Sequence, residues 1–347
     1  MKCRYCRATL PVIPGARAIQ CAQCNGVTRV RLPRPASRPG NGILVQPGGG
    51  GYFPGTRSKK RAVLIGITYA GMRRGGGQLR GPINDVMCMR YMLCERFGFP
   101  NDGIVMLTDE ERDPRKQATK ENIRRAMDWL VQGCSYGDSL VFQFSGQGVQ
   151  VEDEDGDEMD GYDEAICPMD SFQQGPILDD EINEAIVRPL VHGAKLHAVV
   201  DAEHSSTVLD LPFLCRISRK GTNWQWEDHR PPTGAYKGTS GGQAILFSGC
   251  SDGEKRPTML FDAPTVGAMT HSFIKAVECE PRATYGRLLT TMKTIMREGG
   301  VNCNLQGSIG SPIRKVANFS GVQVQLTLPF LLLDRLLLPL ARAGAAH

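Results

Sequence analysis

From about Lys59 onward the chain alternates short apolar runs with segments of helical spacing, and this alternation limits the fold more than anything else in its 347 residues. The runs are RAVLIGI at 61–67, Ile104 to Leu107, SLVFQF at 139–144, LHAVV at 196–200 and AILFS at 244–248. Each has strand length and is apolar on consecutive positions, as a strand buried on both faces requires. Between them, residues 83–97 place Val86, Met89, Tyr91 and Leu93 at helical spacing. Residues 119–131 do the same with Ile123, Met127 and Leu130, behind Thr119 as N-cap. Further helices are expected at 179–187, 265–279 and 284–298. The pattern predicts an α/β domain, a mostly parallel sheet with helices on both faces. Chemistry in such sheets sits at the carboxyl ends of strands, just past residues 67, 144, 200 and 248.

Residues 1–30 carry Cys3-x-x-Cys6 and Cys21-x-x-Cys24, with fourteen residues between the pairs. Four thiolates at this spacing can close a tetrahedral zinc site. Metal binding would then supply the folding energy of a segment too short for a core. A redox CxxC would need a thioredoxin-like βαβ setting, which this segment lacks. The expectation is a small zinc-ribbon-like finger ahead of the α/β domain. Residues 31–58 read as a linker rich in Pro, Gly and Arg, unable to bury enough apolar area to order itself.

The N-terminus has no apolar signal region, and no run of eighteen apolar residues occurs. Neither export nor a membrane span is therefore expected, and the chain is placed in the cytoplasm or nucleus. In that setting the twelve cysteines read as thiols, metal ligands or a catalytic thiolate. The net charge of +5, from 41 basic and 36 acidic residues, is too small to argue for nucleic acid. Arg29, Arg31, Arg34 and Arg38 beside the cysteine pairs read as linker solvation.

The segment CRYCRATLPVIPGARAIQCAQCNGVTRV resembles the plant zinc finger of the lesion-simulating-disease type. That resemblance implies protein contacts and a link to cell-death regulation. From Lys59 to about Val322 the chain resembles the type I plant metacaspases of the caspase-like clan. The carrying motifs are AVLIGITY, INDV around Asp85, FSGQG at 144–148, DGDEMDGYDEAICPMD at 155–170, LDDEIN at 178–183 and HAVVDAEHSSTVLDLPFLCR at 197–216. The resemblance implies a caspase-like sheet and a calcium-dependent cysteine endopeptidase that cleaves after Arg or Lys.

Such a reaction needs a thiolate to attack the carbonyl, a histidine to move protons, and backbone N–H groups to receive the oxyanion. The family carries His in a Ser-Gly-His-Gly turn and Cys in an Asp-Ala-Cys-His turn. Here the turns read Ser145-Gly146-Gln147-Gly148 and Asp201-Ala202-Glu203-His204. Glutamine is no base near neutral pH, and a carboxylate is a poor attacker of amides. Gly148 still offers a backbone N–H. The expectation is a pseudoprotease that binds proteins, among them active metacaspases or basic peptide segments. An endopeptidase with a displaced nucleophile, and a zinc-finger adaptor with the domain as scaffold, are the alternatives.

By the same resemblance, Asp85, Ser145 and Asp201 match the pocket for the Arg or Lys side chain. Asp179, Asp180 and Asp210, with Asp163 from the preceding loop, match a calcium site; hard oxygen ligands suit that ion. Taken by composition alone, residues 152–164, nine acids in thirteen, read as a solvated loop. Arg216, Arg219 and Lys220 lie where active relatives cut themselves. After Val322 the chain departs from the family, and residues 323–347 read as an atypical apolar tail outside the 59–322 domain.

Overall fold

The computed structural model describes residues 18–20, 27–29, 53 and 58–327, apart from 73–76, 155, 159, 218–223, 232–233, 235, 250–257, 260–265, 281–282 and 299–322. In chain order the strands are β1 Ala18–Gln20, β2 Val27–Arg29, β3 Lys60–Gly66, β4 Ile104–Thr108, β5 Ser139–Ser145, β6 Gly148–Glu152, β7 Tyr162–Ile166, β8 Ile177–Leu178, β9 Lys195–Asp201, β10 Phe213–Ile217, β11 Trp224–Asp228, β12 Gln243–Ser248, β13 Thr258–Met259, β14 Val266–Gly267 and β15 Gln323–Leu326. The helices are α1 Pro82–Phe97, α2 Lys120–Val131, α3 Ser171–Gln174, α4 Asp179–Ile182, α5 Ala268–Cys279 and α6 Tyr285–Glu298, with a π-turn, Asn183–Val187, continuing α4. Cys3, Cys6, Cys21 and Cys24 lie outside the described residues; β1, before Cys21, pairs antiparallel with β2, after Cys24.

Eight strands form the central sheet in the order β11-β10-β15-β12-β9-β5-β3-β4. From β12 to β4 every pairing is parallel, and β15, β10 and β11 extend the sheet antiparallel. The period of two in each buried strand divides two cores. Ala62, Leu64, Val141, Val199, Ile245 and Phe247 face α1, α5 and α6. Val63, Ile65, Leu140, Phe142, Leu196, Val200 and Leu246 face α2 and α4. The helix ends follow local chemistry. Thr119 accepts from the Asn122 N–H to start α2. Gly98, at φ 64°, closes α1 as a left-handed cap.

The tail boundary placed at 322 needs correction. Gln323–Leu326 is an internal strand, inserted between β10 and β12. Val324 and Leu326 join the apolar core, and buried Gln325 bonds the backbone of Leu211 through both its N–H and carbonyl groups. Alternating VQVQL in front of a leucine run disguised the strand as part of that run. Residues 328–347 lie outside the described residues. Trp224 and Trp226 lie on β11, which forms an antiparallel hairpin with β10.

One core histidine makes stability depend on pH. His197 Nε2 meets the Tyr285 hydroxyl at 2.7 Å beneath the sheet. Burial, aided by the Lys195 charge, holds its imidazole pKa down at about 3. An unfolded histidine takes up a proton near pH 6.5, so between those values the unfolded chain binds more protons and acid favours unfolding. This contribution is complete above about pH 6.5 and is lost as pH falls toward 3. His197→Phe removes the proton-binding group. Urea titrations should show its stability deficit against wild type narrowing by about 2 kcal/mol between about pH 7.5 and about pH 5. A deficit independent of pH refutes the assignment.

Candidate functional site

Strands β3, β5 and β9 end flush, so their following turns crowd together. Ser145 is the register partner of Asp201. Ile67 N–H donates to the Ser145 carbonyl at 3.0 Å, and Gly146 N–H donates to the Asp201 carbonyl at 3.3 Å. Past the strand ends the contact tightens further. A Cβ at position 148 would sit 1.9 Å from the Glu203 carbonyl oxygen, so only glycine fits there. The turn bearing Gln147 is thereby pressed against the turn bearing Glu203.

Gln147 is held mainly by its backbone. Its N–H donates to the Tyr69 hydroxyl at 2.9 Å, and its side-chain amide donates to the Gly77 carbonyl at 3.3 Å. Its carbonyl accepts from Cys167 N–H at 3.0 Å. Tyr69 Oη in turn donates to the Cys167 carbonyl at 2.6 Å. Because residues 147 and 167 exchange a ladder bond, alternation along the antiparallel pair turns the Gly148 N–H away from β7. Among the described residues, the non-glycine positions with positive φ are Tyr69, His204 and Asp210, at 56°, 47° and 54°. All three flank this end of the sheet, where such backbone strain commonly accompanies function.

Asp85, Ser145 and Asp201 lie at the same end, and all three are buried. The carboxylates serve one helix. Asp85, in the first turn of α1, accepts from Gly267 N–H at 2.7 Å, and Asp201 accepts from Thr270 N–H at 3.0 Å. Gly267 is the N-cap of α5. Two carboxylates thus meet the positive end of that helix, which offsets their burial. Ser145 Oγ accepts from the Gln143 amide at 2.8 Å.

The four acids expected to bind calcium are divided. Asp163 groups with Asp153 and Asp157, their carboxylate oxygens lying within 4.8 Å of one another. Asp179 accepts from the N–H groups of Glu164, at 3.0 Å, and Asp180, at 2.7 Å. Asp180 and Asp210 instead surround the ammonium of Lys237. Lys237 Nζ lies 2.8 Å from Asp157, 3.4 Å from Asp180 and 3.7 Å from Glu158, and pairs directly with Asp210. Burial, then the Asp210 charge, pushes the Glu158 carboxyl up to about 9. The same two causes raise Asp179 well above the carboxylate range. Burial opposes the charge on Lys237, but Asp210, Asp157, Glu158 and Asp179 together outweigh it and raise its pKa. Hard, buried carboxylate oxygens fit a divalent cation in kind. They do not form an open cage, because a side-chain cation sits among them.

Burial makes several thiols of the domain poor nucleophiles. Cys167, in backbone contact with Gln147, is pushed by burial up to about 11. Cys215 lies in the core and is pushed up to about 12. Cys88 and Cys134 are also raised, chiefly by burial. Cys279, read from sequence as a free thiol, is disulfide-bonded. Arg216 pairs with Glu227 at 3.3 Å on the β10–β11 hairpin, while Arg219 and Lys220 lie outside the described residues. Sequence reasoning missed Lys237, Tyr69 and Asn183; a single lysine in a Gly- and Thr-rich stretch gives no periodic or motif signal.

Residues 60–212 match the family model described as metacaspase, peptidase C14 domain, which sets the class: cysteine peptidases. The chain is 48% identical over 309 residues to Metacaspase-1 of Arabidopsis thaliana, covering 86% of this chain and 83% of that protein. It is 46% identical over 330 residues to Metacaspase-3 of the same plant, covering 86% and 88%. The chain belongs to the metacaspase family. Caspase-1 from Spodoptera frugiperda superposes with a TM-score of 0.39 at 10% identity, over 82% of this chain and 93% of that one. No helix among the described residues is long and apolar enough to cross a membrane.

Proposed function

We propose that this chain is a metacaspase homologue that binds polypeptides without cleaving them. The observation carrying this reading is the pair Gln147 and Glu203 on two abutting turns at the carboxyl ends of β5 and β9. Under it, Gln147 and Glu203 stand at the family's His and Cys positions. An amide cannot take the proton a nucleophile must lose. A Glu203 carboxylate is a weak attacker, and its charge opposes an oxyanion formed beside it. The thiol in backbone contact with this turn, Cys167, stays protonated at neutral pH. The Gly148 N–H is retained, but an oxyanion donor without a nucleophile gives little proteolysis.

The rest of the reading concerns ligands. Cys3, Cys6, Cys21 and Cys24 hold a structural zinc, and the acids Asp163, Asp179, Asp180 and Asp210 respond to calcium. Partners are proteins, among them active metacaspases and basic segments, met in the cytoplasm or nucleus during cell-death or stress regulation. The test uses purified full-length chain and fluorogenic Arg and Lys peptides, with calcium and with chelator. No hydrolysis above a heat-denatured control is expected. Turnover that survives in Glu203→Ala, with contaminating peptidases excluded, overturns the proposal.

A further inference from the structure

We propose that the Lys237 ammonium is the resident cation of the acidic cluster, and that a divalent cation enters only by displacing it. The inference rests on the calcium reading above and adds a rival from within the chain. Lys237 is 5% exposed and contacts carboxylates from three separate segments: Asp157 and Glu158 before β7, Asp180 in α4, and Asp210 in the turn that follows Glu203. Its backbone is fixed as well. The Asn183 side-chain amide donates to the carbonyls of Leu209, Asp210 and Lys237 at 2.9, 3.1 and 3.2 Å. One lysine therefore ties the left-handed Asp210 turn to α4 and to the acidic loop.

The charges cannot be shared. Buried carboxylates need a counter-charge, and one ammonium neutralises only part of this group. A divalent cation neutralises more and takes six to eight oxygens, about the number these carboxylates offer. It would need the same oxygens of Asp157, Asp180 and Asp210 that hold Nζ. Two cations within one shell of oxygens repel strongly in a buried site, so occupancy is exclusive. Lys237 thus holds the Asp210 turn against α4 when calcium is scarce and raises the calcium concentration needed to take over.

The experiment compares calcium binding by isothermal titration, and thermal unfolding in chelator and in calcium, for the full-length wild type, Lys237→Met and Lys237→Arg. Lys237→Met should bind calcium at least about tenfold more tightly, since affinity follows the charge count of the ligands. It should melt lower than wild type in chelator and recover in calcium. Lys237→Arg should bind as weakly as wild type. Equal affinity of wild type and Lys237→Met overturns the inference and leaves the calcium reading standing; absence of binding in all three overturns both. Should Lys237→Met fail to fold, amine acylation of the wild type read by mass spectrometry decides. Lys237 should be protected in chelator and labelled faster with calcium bound; unchanged protection overturns the displacement.

Discussion

The double variant Gln147→His/Glu203→Cys should hydrolyse Arg and Lys reporter peptides on the order of 10³-fold faster than wild type in calcium buffer, because a nucleophile and its base act as a unit. The frame for this gain is already in place. Tyr69 Oη holds the backbone of residue 147, Gly148 admits the Glu203 carbonyl, and the β5–β9 register sets the two turns side by side. Neither single change should suffice. Gln147→His supplies a base with nothing to activate, and Glu203→Cys supplies a thiol with no partner to take its proton. Steady-state rates for the four proteins form a cycle whose gain appears only in the last corner. A silent double variant that still folds would show that the site has diverged beyond these two side chains. A single variant matching the double would refute the assigned roles.

Asp201→Ala should lower the unfolding free energy by about 2–3 kcal/mol, and Asp85→Ala by a comparable amount, as expected for loss of a buried helix cap and its favourable charge. Both carboxylates accept from backbone N–H groups at the start of α5, so truncation leaves a buried donor unmet. Asp201→Asn keeps an acceptor and should lose roughly half as much. The two alanine changes share one helix turn, so their sum should exceed the loss in the double variant. Denaturant titrations monitored by far-UV circular dichroism measure this directly. Carboxylates serving only as an open receptor for guanidinium would behave otherwise: truncation would leave stability unchanged and abolish arginine-peptide binding. That outcome would reassign them.

The fold was readable because its signals are local. Short apolar runs such as RAVLIGI and SLVFQF, alternating with helical segments, read as strands covered on both faces, and Thr119 marks a helix start through backbone chemistry. The strand pattern pointed to the turns after β5 and β9, and the family resemblance implied what each turn should carry. What stayed hidden depends on contacts between residues far apart in sequence. Nothing near Lys237 announces that its ammonium will meet Asp157, Asp180 and Asp210. Nothing near Asp85 or Asp201 shows that each accepts a bond from the same helix start. The strand at 323–326 was concealed differently: four residues give too little pattern to separate a β-ladder from the apolar stretch beside it.

Strand β15 has a kinetic consequence. Phe213 and Ile245 both meet Leu326, a residue more than eighty positions away along the chain. Contacts of such long separation form late and slow the search for the native state. Until they form, the β10–β11 hairpin has no attachment to the parallel strands, and two bare edges face each other across the gap. Unpaired edges recruit other chains, so the interval before closure is when this protein is most prone to aggregate. A version cut before Gln323 would remain in that vulnerable state permanently, having lost a keystone in the middle of its sheet.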